Sequence, residues 1–228
     1  MRGARNPADA AATVRARMSA SGDVRAIGSA APRRKPLLRH PFRRKNFRPR
    51  ALVLYAGGLG AIAAADPAPV LFALGAVVVA TGQALRLWAT GYLVKTDELT
   101  TAGPYAHMRH PLYAGALLMG TGFLLMAGPR IATVALPLGL VFYFGYYLGY
   151  KDAVESERLE ALYGATFRAW RDGVPPLWPR WSRWRSPLAG GPARWRIERV
   201  LENDEQTALA YAVIAAIALM LVGLWRGF

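Results

Sequence analysis

Beyond residue 50 the chain reads as five apolar runs separated by breaks of very unequal length. The runs cover 51–65, 69–94, 112–128, 131–150 and 207–225. A helix needs roughly 20 residues to cross the hydrocarbon core of a bilayer. The second, fourth and fifth runs reach that length, and the first and third fall short of it. Two of the breaks are only a few residues long: Asp66-Pro67-Ala68 and Pro129-Arg130. Links this short join antiparallel helices, with proline ending one helix and opening the next. Nothing in the chain alternates with the period of two that a half-buried strand requires. The pattern therefore predicts an all-α fold, a polytopic membrane bundle of about five transmembrane segments.

Charge orients this bundle. The 228 residues carry a net charge of +15. Residues 1–50 hold 14 Lys/Arg against only Asp9 and Asp23. The excess is thus concentrated in a tail rich in Arg, Ala, Pro and Ser, which argues against a nucleic-acid-binding face on a fold. Residues 1–45 are expected to be disordered. The tail lacks the apolar core of a secretory signal. Its Arg-rich, acid-poor character fits either an organelle transit peptide or a cytoplasmic tail lying on anionic lipid. The positive-inside rule places the N-terminus in the cytoplasm, together with 95–111 and 151–206; the latter stretch adds 10 Lys/Arg. The Ala, Arg and Gly richness suggests a bacterial protein of the inner membrane. Cysteine is absent, which excludes disulfides, thiol catalysis and zinc–thiolate sites.

One polar stretch, TAGPYAHMRHPLYAG at 101–115, lies between two apolar runs. It holds His107, Arg109 and His110 beside Tyr105 and Tyr113. Pro111 is suited to the first position of a helix, so Arg109 and His110 sit at a helix N-terminus, which favours an anion. The guanidinium of Arg109 offers a fork for a carboxylate or phosphate. Tyr113 lies one turn further in. A plain alternative is a basic loop at the membrane edge. His107-x-x-His110 lacks a third histidine in the fold, because His40 is in the tail, and no metal is expected. The tail repeats Arg-His-Pro at 39–41 without the flanking tyrosines, and that copy is read as chance. After the fourth run, Val154, Leu159, Leu162, Tyr163, Phe167 and Trp170 form an imperfect helical stripe that Gly164 breaks in two. Glu155 falls about one turn beyond the apolar run, where an ionisable group is costly and usually functional.

GPYAHMRHPLYAG at 103–115, followed about forty residues later by ESERLEALYGATFRAWRDGVP at 155–175, resembles the membrane methyltransferases of the isoprenylcysteine carboxyl methyltransferase and phospholipid N-methyltransferase group. The similarity covers about 70–180 and includes the lead-in LRLWATGYLV at 85–94. It implies S-adenosylmethionine held at the cytosolic face without a Rossmann fold. Consistently, the Gly-rich GGLG at 57–60 lies inside an apolar run with no strand before it. Carried over by position, the resemblance assigns cofactor binding to Arg109, His110, Tyr113 and Glu155, with Tyr105 and His107 beside them. Arg109, His110 and Glu155 are the expected catalytic groups. One departure stands out: the second acid of the family's Glu-Glu pair is Ser156 here. Glu157 lies some 200° further around the helix and does not replace it.

The implied acceptor is lipophilic, either a prenyl carboxylate or a phospholipid amine, entering sideways from membrane lipid. Membrane sterol reductases, which use NADPH, also carry an Arg-His-Pro-Asn-Tyr motif, but Leu112 stands at the Asn position. A membrane protein without enzymatic activity is the third alternative. On this reading residues 46–180 form the methyltransferase core. Residues 181–206 are a basic Trp/Arg linker, and 207–228 form a further transmembrane helix. Trp178, Trp181, Trp184 and Trp195 among six arginines at 178–200 read as interfacial anchors, not as a nucleic-acid surface.

Overall fold

Proline opens four of the helices, and its missing N–H costs nothing at a first position. A computed structural model describes residues 49–94, 99–185 and 194–228. The expectations for the basic tail at 1–45 lie outside these residues. Helix α1 spans Pro49–Ala64, α2 Pro69–Tyr92, α3 Pro111–Met126 and α4 Pro129–Phe142. A π turn, Tyr143–Tyr147, joins α4 without interruption to α5, Leu148–Gly173. The short α6, Ile197–Glu202, leads into α7, Glu205–Trp225. No strand occurs among the described residues.

Three helical stretches are long and apolar enough to cross a membrane: α2, the continuous 45-residue Pro129–Gly173, and α7. Helices α1 and α3 have 16 residues each, shorter than a full span. The protein is an integral membrane helical bundle. The helix of the fourth run continues past the run's end at Tyr150, through the polar Lys151–Asp152 step. Within residues 181–206 lie α6 and the start of α7.

Water-driven burial gives little between helices inside lipid, so close packing of small residues has to hold them. Helices α2 and α3 form an antiparallel hairpin on two reciprocal glycine pairs seven residues apart. A Cβ on Gly75 would lie 2.5 Å from the Gly122 carbonyl oxygen, and one on Gly122 would lie 2.6 Å from that of Gly75. Gly82 and Gly115 stand in the same relation, at 2.6 and 2.8 Å. At the end of the hairpin nearer the α1–α2 link, the Asp66 amide donates to the Ala127 carbonyl at 2.8 Å.

The other end of the bundle is tied by polar groups. Glu205, at the start of α7 and only 2% exposed, accepts two bonds from Arg86 of α2, each 2.8 Å, and one from Gln83 at 2.9 Å. Arg86 also donates to the Leu112 carbonyl at 3.4 Å. A helix C-terminus leaves carbonyls without intrahelical donors. Here the segment from Arg196 to Asn203 meets those of α2. The Asn203 amide reaches Thr90 and Leu93, each at 3.1 Å; Arg199 reaches Tyr92 at 3.2 Å, and the Arg196 backbone N–H reaches Gly91 at 3.0 Å. This end, where α2 and α5 finish and α3 and α7 begin, carries the site.

Candidate functional site

Arg-His-Pro places two side chains at the mouth of α3. The His110 carbonyl accepts the first helical N–H bonds, from Tyr113 at 3.1 Å and Ala114 at 3.0 Å. The loop before it is held by the segment after α5. Arg109 N–H donates to the Pro175 carbonyl at 2.8 Å and His110 N–H to that of Pro176 at 2.9 Å. In return Arg180 N–H donates to His107 O at 3.0 Å and Trp184 N–H to Ala106 O at 2.9 Å. Four backbone bonds thus clasp 106–110 against 175–184.

The anion that meets the α3 N-terminus is Asp152 of α5. Arg109 forks onto both of its carboxylate oxygens, at 2.8 and 3.3 Å. His110 Nε2 lies 2.7 Å from Oδ1, and Ser156 donates to the same oxygen at 3.4 Å. On the other side of the imidazole, Nδ1 is 3.7 Å from Glu155 Oε2, which also accepts the Tyr113 hydroxyl at 3.0 Å. The His110 and Tyr113 rings stack 5.2 Å apart. His110 and Arg109 are only 9% and 11% exposed, whereas the Glu155 side chain is 45% exposed.

These groups form one wall of a cavity of about 390 Å³, within the roughly 300–1,000 Å³ of small-molecule sites. Leu93, Leu99, Leu159, Phe167 and Trp170 supply the apolar remainder. Gly164 makes that wall possible. Its φ of 52° and ψ of −123° break α5, so the final helical piece folds back. There Trp170 Nε1–H bonds the Tyr105 carbonyl at 3.0 Å. The kink also lets Glu160 pair with Arg168 at 3.2 Å and Arg171 at 3.0 Å. No neighbour lies within 4 Å of a Cβ at Gly164, so only backbone strain opposes substitution there. Gly164→Ala is expected to lower stability by about 1–3 kcal/mol, read from thermal unfolding in detergent. An unchanged melting temperature would show that the kink survives without glycine.

Two buried donors at this cavity have no partner: the Tyr105 hydroxyl and Arg109 Nε–H. Burial, and then the nearby charge of Glu155, push the Tyr105 phenol pKa well above its usual value, so its proton is retained as a donor.

The structure therefore brings Tyr105, Arg109, His110, Tyr113 and Glu155 to one cavity. It does not bring His107 there. Met108 and Arg109 turn the chain between the two histidines, and the His107 Nδ1–H donates to the Arg180 carbonyl at 2.8 Å. His107 lines a separate hollow with Trp88, Arg180 and Trp181. The Arg109 fork, expected to be open, is filled by Asp152. Sequence reasoning passed over Asp152, although it lies one turn before Ser156 on the same helical face. Arg86 was also missed; a charge inside an otherwise apolar run was its signal.

The phospholipid methyltransferase family model matches residues 68–166, which run from the start of α2 past the Gly164 kink. The cobalt-zinc-cadmium resistance protein CzcN of Cupriavidus metallidurans is 31% identical over 132 residues. That alignment covers 57% of this chain and 56% of CzcN, so the chain spans about half the length of that curated relative. No solved structure matches the chain. Every charged side chain of the cavity's polar wall falls inside the matched segment, so this integral membrane protein is similar to the phospholipid methyltransferase family over residues 68–166.

Proposed function

We propose that the protein transfers a methyl group from S-adenosylmethionine to a lipophilic acceptor at the membrane face that bears Asp152 and Glu155. The observation that carries this reading is the pairing of unsatisfied buried donors with a partly exposed carboxylate in one mainly apolar cavity. The unpartnered Tyr105 Oη–H and Arg109 Nε–H support recognition of a carboxylate. The free oxygen of Glu155 suits a cation, and Phe167, Trp170 and the leucines suit an apolar or aromatic group. S-adenosylmethionine carries all three features, and when bound it supplies an electrophilic methyl group.

The chain's own residues then bind, orient and dehydrate the partners. No nucleophilic side chain is required, and fixing two reactants in line contributes on the order of 7–11 kcal/mol. Asp152 holds Arg109 and His110 rigid, and Tyr113 holds Glu155. The leucine-lined side gives a long-chain acceptor, a prenyl acid or a phospholipid amine, a route in from lipid. The Arg and Lys residues at this end of the bundle support a cytoplasmic side for it under the positive-inside rule.

Calorimetry on purified protein tests the reading with S-adenosylhomocysteine and, separately, NADPH. Saturable binding of the first, followed by label transfer from methyl-labelled S-adenosylmethionine into a lipid extract, is the expected result. Binding of NADPH alone would support a reductase, and binding of neither would leave the methyltransferase reading without a basis.

A further inference from the structure

We propose that Trp181, Arg183 and Arg185 form a docking face for anionic phospholipid headgroups, and that this face is mechanically continuous with the loop carrying Arg109 and His110. The inference does not depend on methyl transfer.

Its first support is geometric. After Pro179, Trp181 is fully exposed at 102%, Ser182, Arg183 and Arg185 are exposed, and Trp184 turns inward. Trp184 packs against Gly173 and the cluster around Phe167 and Trp170. One exposed aromatic ring and two exposed guanidinium groups thus lie within five residues of one another.

The second support is electrostatic. Among the described residues the Arg183 and Arg185 side chains form no ion pair, although other arginines of this end find acids: Arg86, Arg109, Arg168 and Arg171. Arg194 and Arg196 are likewise exposed, and they flank Trp195, whose indole N–H donates to the Leu87 carbonyl at 3.2 Å. Next to Leu87, Trp88 joins His107, Arg180 and Trp181 around a hollow of about 260 Å³. Unpaired guanidinium groups beside indole rings match a phosphate at the depth where tryptophan resides in a bilayer. An anionic lipid presents such phosphates as a fixed surface, which is why the occupant is taken to be lipid and not a free ion.

The third support is the clasp. Arg180 and Trp184, on either side of Trp181 and Arg183, donate backbone bonds to His107 and Ala106, and His107 returns one to Arg180. A lipid that holds the outer edge of this segment thereby holds the inner edge against the site loop.

The test uses the full chain in nanodiscs of phosphatidylcholine with and without phosphatidylglycerol. Native mass spectrometry after partial delipidation reads which lipid is retained. Wild type is expected to keep phosphatidylglycerol in preference to phosphatidylcholine. Arg183→Gln/Arg185→Gln should reduce that preference roughly 30-fold, the product of two charges at about 1 kcal/mol each. Arg183→Lys/Arg185→Lys should preserve it. Hydrogen exchange at the Arg109 and His110 amides should slow in phosphatidylglycerol for wild type and not for the Gln variant. The basic tail is the same in every variant, so it contributes equally throughout. Equal preference in wild type and the Gln variant, or exchange insensitive to lipid charge, would overturn the proposal. So would capture of a single-stranded oligonucleotide that displaces the lipid.

Discussion

Replacing Arg86 with methionine is expected to cost about 3–5 kcal/mol of stability. The reason lies with the partner left behind. Glu205 is 2% exposed and takes three of its hydrogen bonds from two side chains of α2. With Arg86 removed, only the Gln83 amide remains for a buried carboxylate. An ion pair of this kind contributes little net energy against a well-packed apolar substitute, because both charges must be stripped of water. The double variant Arg86→Met/Glu205→Leu is therefore expected to recover most of the loss. Unfolding in mixed detergent micelles measures both. If the single and double variants lose the same amount, the cost comes from packing and the charge argument is wrong. Arg86 is 22% exposed, so water at its outer side brings the effect toward the lower end of that range.

Asp152→Ala is expected to weaken S-adenosylhomocysteine binding about 100-fold, or about 3 kcal/mol at 1.4 kcal/mol per decade. Asp152 satisfies Arg109 twice and His110 once. Without it, a guanidinium that is 11% exposed loses its partner, and the imidazole loses the group that fixes its plane. Charge-assisted bonds of this type contribute about 1.5–3 kcal/mol each. The 29% exposure of Asp152 means that water replaces part of the loss. Calorimetric titration provides the measurement, with Glu157→Gln as control. Glu157 is exposed and lies away from the cavity, and its variant should bind like wild type. Unchanged or tighter binding by Asp152→Ala would mean that Arg109 meets its ligand directly and Asp152 only competes.

Much of the bundle could be read from apolar run length and proline placement, since both are local. Pro69, Pro111 and Pro129 open helices where expected, and Gly164 breaks α5 because no other residue adopts its backbone angles cheaply. The continuation of α4 into α5 was hidden because Lys151 and Asp152 end the apolar run while their helical propensity remains adequate. Arg86 and Glu205 are 119 residues apart, and no local pattern joins them. His107 and His110 look like neighbours in the chain, yet the intervening turn separates them. Asp152 escaped notice for a different reason. It lies one turn before Ser156, outside the Glu-Ser-Glu stretch that carries the family-like motif.

The π turn at Tyr143–Tyr147 has a consequence for the carboxylates beyond it. A widened turn accommodates one residue more than a regular one, and each residue of an α-helix advances about 100° around the axis. The helix therefore leaves the lipid with its compass reset by that single extra residue. Asp152 and Glu155 owe their bearing toward α3 to this offset, so the count of residues between Pro129 and Asp152 matters as much as their kind.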